Sequence, residues 1–99
     1  MTANPIELHV DLHVEPGKEK DLVDTFHTAF QPAISRQAGF VSVALLKARA
    51  SPSYRLVISF RTEEHRLAWA ASADHHRVWP KMEKDLTGEK FTSVLFDKL

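Results

Sequence analysis

The chain has 99 residues, of which 43% are hydrophobic and 26% charged, and its 13 basic residues balance 13 acidic ones. This length indicates one domain spanning residues 1–99, and the balanced charge excludes the strong positive field that holds nucleic acid or an anionic membrane. The absence of cysteine excludes disulfides, thiolate metal sites and a cysteine nucleophile. Residues 1–5 carry no signal-peptide pattern and no apolar run approaches the ~20 residues of a membrane span, so we expect a cytoplasmic protein.

The first two predicted elements are a strand and a helix. Residues 6–14 alternate apolar and polar side chains, which is typical of a strand with one apolar face, and a proline–glycine turn follows. Apolar residues at three- and four-residue steps then predict a helix over residues 18–36. Pro32 falls inside this range, where proline removes a hydrogen bond and clashes with the preceding turn. We therefore expect a kink or an early end at Pro32.

A hairpin and a second helix are predicted in the middle of the chain. Residues 40–47 and 54–60 are rich in valine, leucine and aromatic side chains, with a polar loop between them. Two such segments joined by a short loop indicate an antiparallel hairpin. Thr62 is a favourable N-cap for a helix that runs to about Ala71 and is interrupted at residues 72–74.

The end of the chain adds another helix and a strand. A helical pattern begins at Asp74, and Pro80 either starts this helix or kinks it. We expect the pair Thr87-Gly88 to close the helix and residues 91–98 to form the last strand.

The predicted order of elements is strand, helix, strand, strand, one or two helices, and strand. This order predicts an α+β domain of the ferredoxin-like, split βαβ type, with a four-stranded antiparallel sheet and helices on one face. The later strands carry apolar residues on both faces, as Val43 and Ala44 illustrate. A homodimer packed sheet to sheet would cover the open face, and a monomer with a moderately apolar surface is the alternative.

Three short segments, in this order and spacing, carry a family resemblance. Residues 14–19 (Val-Glu-Pro-Gly-Lys-Glu) form a strand-to-helix turn, and residues 37–40 (Gln-Ala-Gly-Phe) form a glycine entry into the second strand. An aromatic strand end at Phe60 is followed by a helix and residues 72–76. These segments resemble the antibiotic-biosynthesis monooxygenase family of the dimeric α/β-barrel superfamily. The resemblance implies a dimeric barrel and a cofactor-independent monooxygenase that oxidises a small aromatic substrate, such as a quinol or polyphenol.

The sequence departs from that family's pattern at two places. An acidic residue and a tryptophan are common at the end of strand three, where this chain has Ile58 and Phe60. At a helix position where the family often has histidine, this chain has Trp69, a replacement that resembles the haem-degrading branch of the superfamily. That branch also has a strand-one asparagine and a later haem-ligating histidine, whereas this chain has Val10 and residues 79–80 at about those positions. These two departures weaken the haem-binding or haem-degrading interpretation, which is kept as the third alternative.

Aromatic residues supply the candidate walls of a substrate pocket. Trp69 and His65 share a face of the second predicted helix at i,i+4. Trp69 either anchors that helix to the sheet through its indole N–H or forms one wall of a pocket, with His65 at the rim. The resemblance implies that Phe26, Phe60 and Trp79 also contact the substrate.

The candidate catalytic residues are His75 and His76, because an imidazole near neutrality can remove a proton from the substrate. His75 shares the apolar stripe of the last helix, which predicts a half-buried side chain. Arg77 is a candidate partner for an anionic oxygen. The alternatives are a histidine that only packs, a solvated arginine, and a non-catalytic dimeric module that binds a small hydrophobic molecule.

No metal or other cofactor is expected, although the chain contains six histidines. His9 and His13 lie four residues apart on a predicted strand, which separates them by about 13 Å, too far to chelate one ion together. They share the polar face of that strand with Glu7 and Asp11. We expect this face to line the sheet-to-sheet interface of the dimer.

Overall fold

The computed structural model describes residues 4–87 and 91–99, so residues 1–3 and the predicted turn residue Gly88 lie outside the described part. The strands are β1 (Ile6–His13), β2 (Phe40–Lys47), β3 (Ser53–Phe60) and β4 (Thr92–Asp97). The helical segments are α1 (Glu19–Thr25), a π-helical turn (Phe26–Phe30), α2 (Gln31–Ser35), α3 (Glu63–Ala70) and α4 (Ala73–Glu83). No helix in the described ranges is both long enough and apolar enough to cross a bilayer.

The strands form one antiparallel sheet in the order β2-β3-β1-β4. The predicted α+β, split βαβ fold is therefore confirmed, with the central strands β1 and β3 paired over their whole lengths. Completion of a dimeric barrel needs a second chain and stays a prediction.

The first helix differs from the expectation at Pro32. The chain remains helical through Pro32 as far as Ser35, and the distortion lies just before the proline, in the π-helical turn Phe26–Phe30. Proline donates no backbone hydrogen bond, and its ring crowds the carbonyl one turn earlier. A wider turn at this place gives the ring room while the helix continues.

The ends of the other elements follow local capping and pairing. β1 ends at His13 rather than Val14, which makes an isolated bridge to Leu86 instead. The Thr62 hydroxyl accepts a hydrogen bond from the His65 backbone N–H at 3.2 Å, which confirms the predicted N-cap of α3. Pro80 lies inside α4 and does not start it, because the helix begins at Ala73.

The core lies between the helices and one face of the sheet. Most of the apolar residues of the first helix are buried, and Phe30 takes the central position among them. The buried apolar residues are Ile6, Val10, Leu12, Val14, Leu22, Phe26, Phe30, Ala33, Ile34, Tyr54, Leu56, Ile58, Phe60, Trp69, Val78, Met82 and Leu86.

The opposite face of the sheet is uncovered in the single chain. The strand register places Leu46 of β2 and Val94 and Phe96 of β4 on this face, together with the polar side chains of β1. These three apolar residues are 50%, 54% and 47% exposed, respectively. We call this surface the open face.

Candidate functional site

A cavity of about 120 Å³ lies between the helices and the covered face of the sheet. Its lining is mostly apolar and aromatic, and Arg66, His75 and Ser93 add polar side chains. The exposed lining residues Ala70, Phe91 and Ser93 mark the side where the cavity meets solvent. The full lining is Leu8, Val10, Phe30, Leu56, Ile58, Arg66, Trp69, Ala70, His75, Trp79, Phe91 and Ser93.

Ser72 joins the two helices that carry most of the site. Its hydroxyl accepts a hydrogen bond from the His75 backbone N–H at 3.0 Å and thereby caps the start of α4. The same hydroxyl donates to the Trp69 carbonyl oxygen at 2.7 Å, at the end of α3. The link brings the His75 ring to 5.1 Å from the Trp69 ring, in an edge-to-face arrangement.

Aromatic contacts fix the walls of the cavity. Trp69 is only 3% exposed and makes an edge-to-face contact with Phe30, with ring centroids 5.7 Å apart. Trp79 stacks on His75 with the ring planes 17° apart and meets Phe91 edge to face. Such pairs stabilise beyond the area that they bury, so the walls are held by mutual packing. The structure thus brings together three of the predicted site residues: Trp69, Trp79 and His75.

The imidazole of His75 is half-buried and lacks a hydrogen-bond partner at one nitrogen. Its Nδ1 atom is buried and has no partner among the described residues. Burial lowers the pKa of His75 below its ordinary value of 6.5 because the charged form loses water, and nearby His76 lowers it further. His75 is therefore mainly neutral near pH 7, so one of its ring nitrogens is free to accept a proton.

Arg66 lines the cavity and was not predicted as a site residue. Its side chain is 19% exposed, and one guanidinium nitrogen donates to Glu63 Oε1 at 3.1 Å. The Nε atom is buried without a partner among the described residues. The sequence did contain a signal that Arg66 lines the cavity. Arg66, Trp69 and Ala70 lie at i, i+3 and i+4 and therefore share one face of the helix.

Two of the predicted wall residues pack behind the cavity. Phe26 is 2% exposed and stacks on Phe30, which itself forms part of the lining. Phe60 is fully buried and contacts Phe40 edge to face at 6.1 Å. Neither Phe26 nor Phe60 belongs to the lining, so any contact with a substrate stays a prediction.

The other predicted site residues lie outside the cavity lining. The Nδ1 atom of His65 lies 2.8 Å from the Thr62 hydroxyl, and its ring packs against Gly39 at the entry to β2. His76 is exposed, and the exposed Arg77 donates to Asp74 at 2.9 Å. None of these three predicted residues lines the cavity.

The histidines of β1 occupy the open face, as their alternation predicts. His9 Nε2 lies 2.7 Å from Glu7 Oε1, and the His9 ring contacts Phe96 edge to face. His13 is exposed. Residues 4–87 and 91–99 contain no group of three or more histidine, cysteine or acidic side chains arranged to hold a metal ion.

Residues 5–80 match the family model for antibiotic biosynthesis monooxygenases, which is most of the chain and includes α3 and most of α4. The chain belongs to this family. The predicted family resemblance is confirmed. Among curated proteins, no sequence matches this family member significantly.

Several solved structures share the fold of this family member over nearly its whole length. A provisionally assigned antibiotic biosynthesis monooxygenase from Bordetella bronchiseptica is 23% identical, with 97% of this chain and 98% of that chain covered and a TM-score of 0.86. SnoaB, a cofactor-independent oxygenase from Streptomyces nogalater, is 18% identical, with 98% and 95% covered and a TM-score of 0.84. Rv0793 from Mycobacterium tuberculosis is 14% identical, with 96% and 95% covered and a TM-score of 0.80. At these identities the likeness establishes the fold.

Proposed function

We propose that the protein is a cofactor-independent monooxygenase that acts on a small aromatic substrate of the quinol or polyphenol type. The observation that carries this proposal is the aromatic cavity, in which a neutral imidazole lies between two tryptophans. Membership of the monooxygenase family supports the reaction class. The fold shared with SnoaB, a cofactor-independent oxygenase, supports chemistry without a cofactor.

In the proposed reaction, His75 removes the proton of a substrate hydroxyl and leaves an electron-rich anion in the cavity. Such an anion passes one electron to O₂, and the two radicals combine to form a carbon–oxygen bond. The imidazolium of His75 returns its proton to the peroxide so formed. Loss of water, whose second hydrogen comes from the ring carbon that bears the peroxide, then leaves a carbonyl group, so one oxygen atom enters the product and the other leaves as water. The protein binds the ring, accepts the proton and limits access of water.

The alternative is a dimeric module that binds a small molecule without turnover. A space filled by side chains would favour that alternative, whereas the structure has a cavity that is lined partly by polar side chains and open to solvent on one side. The volume of about 120 Å³ is similar to that of an apolar cavity of ~150 Å³ that binds benzene. The cavity therefore suits one aromatic ring, and a larger substrate would extend past Phe91 towards solvent.

Oxygen uptake by the purified protein tests this proposal. With a panel of quinols and no added cofactor, we expect at least one substrate to consume O₂ above the buffer rate. The variant His75→Gln should lower that rate by roughly 10²–10⁴-fold, the usual contribution of a general base. His27→Gln is the matched control, because His27 is exposed on the first helix and lies outside the cavity lining.

His76→Gln distinguishes the two candidate bases. An unchanged rate supports His75 as the base, and a loss as large as that of His75→Gln would move the role to His76. The monooxygenase proposal fails if no quinol is oxidised above the buffer rate or if both histidine variants keep the full rate.

We also propose that two copies assemble through the open face into a dimeric barrel. Leu46, Val94 and Phe96 form an exposed apolar set on a face that also carries polar β1 side chains. Exposed apolar surface of this kind is typical of an interaction site. Covering it with a second copy also explains why β4 carries Val94 and Phe96 on this face although both are exposed in the single chain.

Light scattering coupled to size-exclusion chromatography tests the dimer. The wild-type chain should elute with the mass of two copies, and Phe96→Glu should shift the mass to one copy because it places a charge in the apolar contact. Leu67→Glu is the control, since Leu67 is also exposed but lies on α3, away from the open face. A monomeric wild type, or a dimer that tolerates Phe96→Glu, would contradict the proposal.

A further inference from the structure

We propose that the covered side of β4 beside the cavity is a second subsite, which binds a short alkyl chain carried by the aromatic ring of the ligand. Phe91, just before β4, and Ser93 and Leu95 of β4 form this surface, which we call the β4 strip. The inference rests on the proposed function for the place of the ring, and it adds an apolar substituent to the ligand class.

The strand register makes the β4 strip continuous with the floor of the cavity. Ser93 pairs with Val10, and Leu95 pairs with Leu8. Directly opposite residues of an antiparallel pair lie on the same face of the sheet, with Cβ atoms about 4.5–5.5 Å apart. Ser93, Val10 and Leu8 line the cavity, whereas Leu95 lies outside the lining. Leu95 is therefore the next side chain on this face beyond the end of the cavity.

The helices cover this face of the sheet at β1 but leave it open at β4. Ile6 and Val10 of β1 are each 6% exposed, whereas Phe91 and Leu95 of the β4 strip are each 38% exposed. Ser93, which lies between them, is exposed as well. The helical layer therefore ends between β1 and β4, and an alkyl chain that leaves the cavity on this side can cover exposed apolar side chains.

A substituent on the ring has to leave the cavity beside the β4 strip. The volume of about 120 Å³ suits one aromatic ring, so a longer ligand extends beyond the lining. The lining residues on the solvent side are Ala70, Phe91 and Ser93, and two of these three belong to the β4 strip.

A second copy bound through the open face would leave the β4 strip free. Side chains alternate between the two faces along a strand. Val94 and Phe96 therefore lie on the open face, whereas Leu95 lies on the covered side with its pairing partner Leu8. The ligand in the cavity is thus the occupant whose position is continuous with the strip.

The length of the β4 strip suits a short chain. Side chains on one face of a strand are about 7 Å apart, so Leu95 follows Ser93 at this distance and Asp97 follows Leu95. Asp97 is exposed, and its carboxyl group ends the apolar surface. A chain of about four carbon atoms extends from Ser93 across Leu95 without reaching Asp97.

The experiment compares the binding of nitrobenzene and 4-butylnitrobenzene. Both compounds quench tryptophan fluorescence, and the two tryptophans of the chain, Trp69 and Trp79, both line the cavity and report the binding of the ring. Complete burial of one CH₂ group strengthens binding about fourfold. Because the strip covers the chain on one side only, we expect the butyl compound to bind the wild type roughly tenfold to fiftyfold more tightly.

The variant Leu95→Ser should reduce this gain to about threefold or less and leave the nitrobenzene affinity within about twofold, because Leu95 lies outside the cavity lining. Val94→Ser is the matched control, since it removes a neighbouring apolar side chain of β4 from the opposite face and should keep the gain. Leu95→Met keeps an apolar side chain and should also keep the gain, which covers the case in which the serine variant does not fold.

The inference is overturned if the butyl group adds less than about threefold in the wild type, if Leu95→Ser keeps the full gain, or if Val94→Ser lowers it equally. A gain that disappears at concentrations where light scattering shows a dimer also overturns it, since a second copy would then cover the strip.

The proposed monooxygenase fails separately, because neither nitro compound has a hydroxyl group and their binding does not depend on turnover. An intact butyl gain without any quinol oxidation contradicts only the monooxygenase. Quinol oxidation that depends on His75, in a protein without a butyl gain, contradicts only the subsite on β4.

Discussion

Replacing Ser72 with alanine should both destabilise the fold and loosen the N-terminal end of α4, which carries His75. The Ser72 hydroxyl makes two hydrogen bonds, one accepted from the His75 backbone N–H and one donated to the Trp69 carbonyl oxygen. Alanine keeps the backbone path between α3 and α4 and removes both bonds. The start of α4, which carries His75, then has an unpaired backbone N–H group and lacks the hydrogen bond that connects it to Trp69.

The size of the effect follows from the two bonds. Loss of a serine N-cap costs about 1 kcal/mol, with a range of roughly 0.5–2 kcal/mol. The bond to the Trp69 carbonyl adds about 0.5 kcal/mol, the low end for a hydrogen bond, because the Ser72 backbone N–H continues to donate to the same oxygen at 3.0 Å. We therefore expect Ser72→Ala to lower the free energy of unfolding by about 1–2.5 kcal/mol.

Urea denaturation followed by tryptophan fluorescence measures this change, and an NMR titration of His75 reports the local effect. We expect the pKa of His75 in Ser72→Ala to rise towards 6.5, because a loosened helix start admits water to the ring. Thr62→Ala is the matched control: it removes the equivalent cap of α3 and should cost a similar free energy while leaving the His75 titration unchanged. Ser72→Asp should restore most of the stability, since aspartate caps helices as well as serine does.

Two results would refute this reasoning. If Ser72→Asp is as unstable as Ser72→Ala, the cap is not the source of the effect. If Thr62→Ala shifts the His75 titration as much as Ser72→Ala does, the link from Ser72 to Trp69 does not position the imidazole.

Two further predictions concern pH and packing. Burial lowers the pKa of His75 in the folded state, so the unfolded chain binds a proton at this residue more readily. The contribution of His75 to the free energy of unfolding is therefore complete above pH 6.5. It is lost as the pH falls from 6.5 through the lower pKa of the folded state. Urea denaturation on both sides of pH 6.5 should show that the free energy of unfolding decreases with falling pH in the wild type and decreases less in His75→Gln. An equal decrease in both proteins would contradict the prediction. Gly39→Ala should cost about 2–5 kcal/mol, because Gly39 has a φ of +76° and an added Cβ would collide with the His65 ring. In a His65→Ala background the cost should fall because the ring is removed, but it should stay above the backbone part of about 1–2 kcal/mol, because the Cβ atom retained at position 65 lies 2.7 Å from the added Cβ. An equal cost in both backgrounds would exclude the collision with the ring.

Hydrophobic periodicity and capping residues predicted the bounds of an element correctly where a single local feature of the sequence sets them. The bounds of β2, Phe40–Lys47, agree with the predicted strand, and Thr62 caps α3 as expected. The π-helical turn at Phe26–Phe30 was not predictable, because a wider turn inserted in a helix leaves the apolar stripe in place. The position of Pro80 inside α4 depended on Ser72, which supplies a cap early enough for the helix to start at Ala73.

The site was predicted only in part, because sequence spacing gives the face of an element but not the depth of a side chain in the core. Trp69 and Trp79 were predicted as walls and line the cavity, whereas Phe26 and Phe60 lie on the correct faces but pack behind the lining. A two-layer core has positions between sheet and helix that look alike in sequence. Which of them border a cavity depends on how the layers meet, and that is a tertiary property.

The choice between His65 and Arg66 shows how one distant residue decides the polar chemistry of the cavity. Both neighbour Trp69 on α3, at i,i+4 and i,i+3 spacing, so helical geometry alone allows either to accompany it. Gly39 settles the choice, because the missing side chain at the entry to β2 leaves the space that the His65 ring occupies. With His65 held there by Thr62, the cavity side of the helix belongs to Arg66. The presence of an arginine in the cavity lining therefore follows from a glycine in another element.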